Sequence, residues 1–372
     1  MRTVRLNILL LIVFLVPSTG VFGSDTDELL NLLNKKSVIT QEEASSLRAD
    51  LAIQKQEEES SKKEFAVSGI RPLKLAGYAQ VRYIAKEDGI DGFDIRRARL
   101  DFKGNFTERF EYRTQVEFGS TAIKLLDASI SYKFDESRKI TFGQFIVPFS
   151  LENLTSNTKI ETVNRSQVVE ALAGRSKDVI GDQNGDDIGV QMSGSLFPQG
   201  EYNFIEYTAG VFNGSGINKA DLNEQKDVAA RIVLRPFKEL SIGGSIYDGL
   251  GNYGTPANDK NRDRVEADIA YFDGVLSVRA EAIVGKDDTV EKDGWYAQAG
   301  YFLFPKELEL VAKYDLYDPN TSKANDETGV ATFGVNWFFN KLVFVQVNYE
   351  YKVETGTALL NNGVAAQLTL QF

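Results

Sequence analysis

From Leu73 onward, apolar and polar side chains alternate with a period of two in one segment after another. "LKLAGYAQVRYI" places Leu73, Leu75, Gly77, Ala79, Val81 and Tyr83 on one face, and Lys74, Ala76, Tyr78, Gln80 and Arg82 on the other. "ERFEYRTQVEF" and "GVAAQLTLQF" repeat the pattern. Successive side chains of a β-strand point to opposite sides of its sheet, so this period predicts half-buried strands rather than helices. Sixteen such segments follow one another, near 73–84, 93–104, 108–118, 122–134, 138–147, 187–196, 201–212, 227–235, 239–247, 263–272, 275–285, 294–304, 307–317, 328–338, 342–351 and 364–372. Most hold about ten residues, the length a tilted strand needs to cross the hydrocarbon layer.

The connections alternate too. Tight turns such as "DES", "PQG", "PFK", "PKE" and "FNK" follow the even-numbered segments. Odd-numbered ones mostly lead into longer loops, at 148–186, 213–226, 248–262, 286–293, 318–327 and 352–363. Phe106, Phe134, Phe197, Phe237, Phe272, Phe304, Phe338 and Phe372 mark the tight-turn side, as an interfacial girdle would. Together these features predict an all-β fold: a 16-stranded antiparallel transmembrane β-barrel preceded by a short α-helical periplasmic segment. A soluble propeller or sandwich has a similar composition, but it would bury the apolar faces instead. An open sheet edge in lipid would leave backbone donors and acceptors unpaired, so the last strand must pair with the first.

Composition narrows the chemistry. The chain has neither cysteine nor histidine, which removes disulfides, thiol and histidine catalysis, and Cys/His zinc sites. Its net charge of −11 argues against a general nucleic-acid binder. No cofactor or metal site is expected.

The N-terminus reads as a targeting device. Arg2 and Arg5 precede the apolar run Leu6–Val16, and Val21-Phe22-Gly23 offers a cleavage site after Gly23. Residues 1–23 are therefore expected to be a signal peptide; the apolar run is too short for a membrane anchor. Residues 24–66 read as a helical or coiled-coil periplasmic segment and linker. Leu29, Leu30, Leu32 and Leu33 form a stripe, and Thr40 with Glu43 a capping box. Such a segment is either a spacer or an oligomerisation or cell-wall contact. Residues 67–372 are the barrel domain.

If the apolar faces meet lipid, the other faces line a lumen too wide for side chains to fill, so water remains. The basic lumen candidates are Lys74, Arg82, Arg97, Arg99, Lys103, Arg109, Arg113, Lys133, Arg231, Arg235, Arg264, Arg279 and Lys313. Acids stand among them: Asp101, Glu111, Glu117, Asp127, Asp227, Glu266, Asp268, Glu281, Glu309, Asp315 and Glu350. The bases crowd strands 1–3 and 8. A cationic stripe would hand anions along the wall; the simpler role is pairing across strands. In "FDIRRARLDF", Arg97 and Arg99 share a face with Asp101 and Lys103 and should meet the lumen water. Arg96 is in phase with Ala98, Leu100 and Phe102, so it is expected on the outer face near the rim, reaching lipid phosphates.

Residues 148–186 exceed what a hairpin needs. Within them "VNRSQVVEALAGR" predicts a short helix with Val168, Val169 and Leu172 on one face. Folded inward, this loop would narrow the pore and bring Arg165, Arg175, Lys177, Glu161 and Glu170 to the solute. The run "GDQNGDD" offers Asp182, Asn184, Asp186 and Asp187 but lacks the glutamate and spacing of a strong calcium site, and it reads as a turn.

"LAGYAQVRY", "IRRARLDFKGNF", "GQFIVPFSLENLTS", "VFNGSG" and "EQKDVAARIVLRPF" occur in this order, with Phe372 at the end. On these pieces the chain resembles the phosphate-selective porin O and P family over about residues 68–372. The resemblance implies a trimeric sixteen-stranded outer-membrane channel whose third loop folds inward at "VPFSLENLTS". It also implies that wall arginines and constriction lysines guide phosphate. Arg97 and Arg99 fall in the matching arginine-rich strand, and Arg231 in the matching "KDVAAR". The chain departs from that pattern in charge: lumen acids nearly equal lumen bases, and the third loop is acidic as well as basic.

The expected function is an outer-membrane porin for passive diffusion of small hydrophilic solutes, with an anion or phosphate preference left open. Its expected partners are outer-membrane lipid and lipopolysaccharide of a Gram-negative bacterium, small anions or other small hydrophilic solutes, and two copies of itself in a homotrimer. The alternatives are a barrel enzyme, for which Glu266 and Asp268 would be the acid–base pair, and a structural barrel tied to the cell wall.

Overall fold

A computed structural model describes residues 73–119, 122–355 and 361–372. The expected signal peptide and helical segment lie outside the described residues. Seventeen strands appear in chain order. The first nine are β1 (Leu73–Lys86), β2 (Gly92–Asn105), β3 (Phe110–Glu117), β4 (Lys124–Lys133), β5 (Arg138–Ile146), β6 (Asp186–Gln199), β7 (Tyr202–Phe212), β8 (Asp227–Phe237) and β9 (Leu240–Asp248). Then come β10 (Leu250–Tyr253), β11 (Asn258–Phe272), β12 (Leu276–Asp287), β13 (Val290–Phe304), β14 (Leu308–Asp318), β15 (Thr328–Phe338), β16 (Val343–Glu354) and β17 (Gly363–Gln371). Two short helices, α1 (Leu151–Leu154) and α2 (Gln167–Leu172), lie between β5 and β6.

Each wall strand pairs antiparallel with its neighbours, and β1 pairs with β17 from Tyr78↔Gln371 to Lys86↔Gly363. The sheet is therefore closed, as the cost of an open edge in lipid requires. β9 pairs directly with β11, while β10 pairs with β11 alone. The barrel wall thus has the expected sixteen strands, and β10 with the start of β11 forms a hairpin extending from the long 248–262 connection.

Burial runs opposite to that of a soluble sheet. On β11, Val265 is 60% and Ile269 43% exposed, whereas Arg264, Glu266 and Asp268 retain 2%, 3% and 6%. The apolar side faces out and the ionic side faces in. At the tight-turn end Phe106, Phe134, Phe197, Phe237, Phe272, Phe304 and Phe372 are all exposed. Phe338 differs: it is half-buried and stacks against Phe302 and Phe344, with centroids 5.8 and 5.2 Å away.

Two expectations need correcting. The 286–293 connection is not a longer loop, because β12 and β13 pair as far as Asp287↔Val290. Only Asp288 and Thr289 remain for the turn, and Asp288 takes a left-handed φ of 57°. The second correction concerns Arg96. Register along β1 and β2 runs Gln80↔Arg97 and then Val81↔Ile95, so Arg96 has no cross-strand partner and forms a β-bulge. The extra residue breaks the two-residue alternation and turns the Arg96 side chain inward. There it donates to the carbonyl oxygen of Val163 and to Gln367 Oε1 (3.4 Å). It is a lumen residue and does not reach the lipid.

Candidate functional site

The segment between β5 and β6 folds into the barrel, as the family resemblance implies. It is fastened to the wall at successive points. Ser150 at its root caps α1, with its Oγ accepting from Asn153 N (3.2 Å), while Ser150 N donates to Ser245 Oγ on β9 (3.1 Å). Glu152 N donates to Glu281 on β12 (3.0 Å). Further on, Asn157 donates to the Tyr78 hydroxyl on β1 (3.0 Å), and Gln346 on β16 donates to the carbonyl oxygens of Ile160 and Glu161 (2.9 and 3.1 Å). Asn164 reaches Glu350 on β16 (2.7 Å).

Helix α2 then packs against β12, β13 and β14. Val168, Val169 and Leu172 are wholly buried there with Ile283 and Tyr296, confirming the predicted apolar face. Ser166, at the N-cap, makes no capping bond with its side chain. Instead Gln167 N donates to Asp315 on β14 (3.2 Å), so a wall carboxylate satisfies one of the free N–H groups at the helix start.

On the return arm Asp178 accepts from Arg262 on β11. Burial would raise the Asp178 carboxyl, but this guanidinium outweighs it and holds the group below the ordinary carboxylate range. The "GDQNGDD" run is a turn: Asn184 and Gly185 take φ of 57° and 79°. A Cβ on Gly185 would lie 2.1 Å from Asn153 Oδ1, so the close approach of the two arms requires glycine. Asp187 accepts from the backbone of Gly214 and Gly216 (2.7 and 3.2 Å), which occupies its oxygens.

Beside this loop a cavity of about 650 Å³ remains open. Its wall comes from β1–β4 and β14–β16, and its floor from the loop itself. Ten basic and six acidic side chains line it. The acids do not neutralise all the bases. Arg82 pairs with Asp94 (2.5 Å) and Arg99 with Glu117 (2.7 Å). Among the described residues, no carboxylate oxygen comes within 4.0 Å of the guanidinium of Arg96, Arg97, Arg165 or Arg175.

These four are held by neutral acceptors. Arg97 donates to Gln80 Oε1 (2.9 Å), and Gln80 is fixed in turn by Asn157 O and Thr369 Oγ1 (both 3.3 Å). Arg165 donates to the carbonyl oxygens of Glu152 and Thr155 and to Asn157 Oδ1. Arg175 donates to Asn153 Oδ1 (2.7 Å) and Asn153 O (3.1 Å). Burial and the neighbouring Arg175 pull the Arg165 guanidinium downward, yet a guanidinium keeps its proton in proteins. The four side chains are therefore oriented without losing their charge.

The structure thus divides the basic residues singled out in the sequence. Arg82, Arg97, Arg99, Arg165 and Arg175 meet at the cavity, and Arg96 joins them. Arg113 pairs with Asp101 and Asp127 (3.0 and 3.2 Å), and Lys103 pairs with Asp101 (2.8 Å). Arg231 bridges Glu266 and Asp268 (2.9 and 2.6 Å), nearly closed off from solvent. Arg235 pairs with Glu206 (3.1 Å). Arg109 is exposed at a tight turn beside the Tyr132 hydroxyl (3.2 Å), and Lys74 lies opposite Lys103 near the same end. None of these last six lines the cavity.

Comparison with known proteins agrees with this architecture. The family model described as phosphate-selective porin O and P matches residues 76–372. No curated protein matches the chain. Among solved structures the fold is similar to an anion-selective porin from Comamonas acidovorans, with TM-score 0.62 and 15% identity over 81% of this chain and 99% of that one. It is also similar to the outer membrane channel DcaP of Acinetobacter baumannii, with TM-score 0.61 and 14% identity over 83% and 100%. The trimer form of OmpT, an outer membrane protein of Vibrio cholerae, gives TM-score 0.56 and 12% identity over 82% and 100%. With the family model covering residues 76–372, all but the first three residues of the described barrel, the chain belongs to the phosphate-selective porin O and P family and is an outer-membrane porin.

Proposed function

We propose that this porin is a passive channel preferring small anions, with oxyanions such as phosphate among its solutes. One observation carries the reading: four guanidiniums, from Arg96, Arg97, Arg165 and Arg175, border the cavity with neutral partners only. The balancing acids are engaged with other partners, elsewhere on the wall as Glu266 and Asp268 are with Arg231, or at the cavity as Glu117 is with Arg99 and Glu350 with Asn164. Unneutralised charge in a narrow, low-dielectric passage concentrates counter-ions there. Arg165 also keeps a buried Nε–H with no acceptor among the described residues.

In this reading Arg96, Arg97, Arg165 and Arg175 contact the solute and Arg82 and Arg99 extend the path. Lys103, Arg113, Arg231 and Arg235 serve the wall as ion pairs, while Lys74 and Arg109 lie at the tight-turn mouth. The protein would be exported by a cleaved signal peptide at residues 1–23, insert residues 67–372 into outer-membrane lipid and lipopolysaccharide, and assemble as a homotrimer. The trimer form of the similar V. cholerae outer membrane protein supports that assembly. Residues 24–66 would then be a periplasmic spacer. Catalysis is not part of the proposal: Glu266 and Asp268, the conceivable acid–base pair, are clamped by one arginine in the wall.

Reconstitution in a planar bilayer under a KCl gradient tests the proposal. The reversal potential should report chloride as the more permeant ion, and added phosphate should reduce the chloride current. A cation-selective pore would refute the anion preference.

A further inference from the structure

Glu170 is the anomaly of the cavity. It lies on α2, whose Val168, Val169 and Leu172 pack against the wall, and its carboxylate lines the same space as the four arginines without a carboxylate partner. The carboxylate is not adrift. Ser176 fixes it with its backbone N–H (3.2 Å) and its hydroxyl. That tether comes from the loop's own return arm, just after Arg175. The loop therefore builds a cation and an anion into one passage and holds each with a separate set of bonds.

Its electrostatic reach is broader than one pair. Glu170 shares the cavity with Arg96, Arg97, Arg165 and Arg175, two from the strand wall and two from the loop. Burial would raise Glu170, but Arg175, the Ser176 hydroxyl and Arg165 outweigh it and keep the group below its ordinary range, so it is charged when the pore conducts. A fixed carboxylate in a cavity lined by four guanidiniums lowers the positive field that a solute oxyanion meets there.

We propose that Glu170 is a specificity-determining residue: an internal carboxylate that competes with the solute for the arginine cluster, weakens retention of multivalent oxyanions, and so favours fast passage of singly charged anions. The inference rests on the anion-preferring reading above. A site of four unopposed guanidiniums would hold a phosphate dianion too long to conduct it, because conduction requires binding that is favourable enough to enter and weak enough to leave. Subtracting one fixed negative charge from such a cluster strengthens its hold on a dianion more than on a monoanion, since the Coulomb term scales with the solute's charge.

The test uses the full-length protein in planar bilayers, with inorganic phosphate as the blocking probe and chloride as the current carrier. Glu170→Gln should lower the phosphate concentration that halves the chloride current by about five- to tenfold, from the loss of one unit charge at short range. It should also raise the chloride-to-potassium permeability ratio. Glu170→Asp keeps the charge and should stay near the parent in both readouts, which a merely structural role would not require. If Glu170→Gln fails to give heat-modifiable folded barrel on gels, Glu170→Ser carries the same expectation. An unchanged phosphate block in a folded, anion-selective neutral variant overturns the competitor role. A cation-selective parent protein instead overturns the anion reading on which it depends, so the two failures are distinguishable.

Discussion

Arg262 grips Asp178 with two hydrogen bonds, Nε–Oδ1 at 3.0 Å and Nη2–Oδ2 at 2.8 Å, and so ties the return arm of the inward loop to β11. Both side chains are almost fully buried. The guanidinium also lies over the Tyr247 ring, 4.6 Å from its centroid. Breaking a buried pair by removing one partner leaves an uncompensated charge and costs about 3–5 kcal/mol. Arg262→Gln is therefore expected to release the loop from the wall. Single-channel recordings should show a larger and noisier conductance than the parent, and an unchanged conductance would show that the loop is held by its other contacts alone.

The same pair sets a pH dependence. The Asp178 carboxyl is depressed in the folded protein. Its contribution is therefore fully present above the unfolded value of about 3.9 and is lost as the pH falls through the lower folded value. The conductance step that release of this pair produces should appear only below about pH 4. Arg262→Gln, already released, should lack that acid step.

Arg97 and Arg99 sit two residues apart on one strand yet differ in partners. Arg99 is neutralised by Glu117 at 2.7 Å, whereas Arg97 bonds only Gln80. Arg97→Ala should therefore shift the reversal potential further toward cation permeation than Arg99→Ala, whose loss frees a carboxylate but removes less unbalanced field. Equal shifts would mean that proximity, rather than pairing, decides a residue's influence.

The bulge at Arg96 can be checked chemically. The chain contains no cysteine, so single substitutions report cleanly. Arg96→Cys should react with a membrane-impermeant anionic thiol reagent and lose current. Ile95→Cys, on the lipid side of the same strand, should not react in the bilayer. Reaction at both positions would contradict the inward orientation.

Leu172 is wholly buried where α2 meets the wall. Leu172→Ala should destabilise the docked loop by about 2–5 kcal/mol through lost transfer energy and the cavity left behind. The barrel, held by its backbone ladder, should keep its heat-modifiable mobility on gels while channel noise increases.

Much of this was legible in the sequence because a strand reports its orientation in every second residue. The sixteen wall strands and the apolar face of α2 follow from spacing alone, and the inward loop from the family resemblance. Arg96 shows where spacing misleads. Phe93 and Ile95 are exposed on the outer side in phase with the odd-numbered positions, whereas Leu100 and Phe102 belong to the even phase. That slip between Ile95 and Ala98 was the mark of a bulge, but reading phase from the C-terminal half alone put Arg96 in the lipid. The pairing of each charge was hidden more deeply. Which arginine stays unneutralised depends on cross-strand register and on where a 39-residue excursion between 148 and 186 comes to rest. Neither is encoded in any local pattern.

The seam between β1 and β17 has a consequence for how the cylinder comes into being. Its ladder joins residue 78 to residue 371, so the wall cannot be sealed until almost every other strand exists. Until then two raw margins stand open, each able to recruit a neighbouring chain. Such a chain has every reason to be escorted unfolded to its membrane and to zip shut there, because the contact that finishes the structure is among the farthest apart in its sequence.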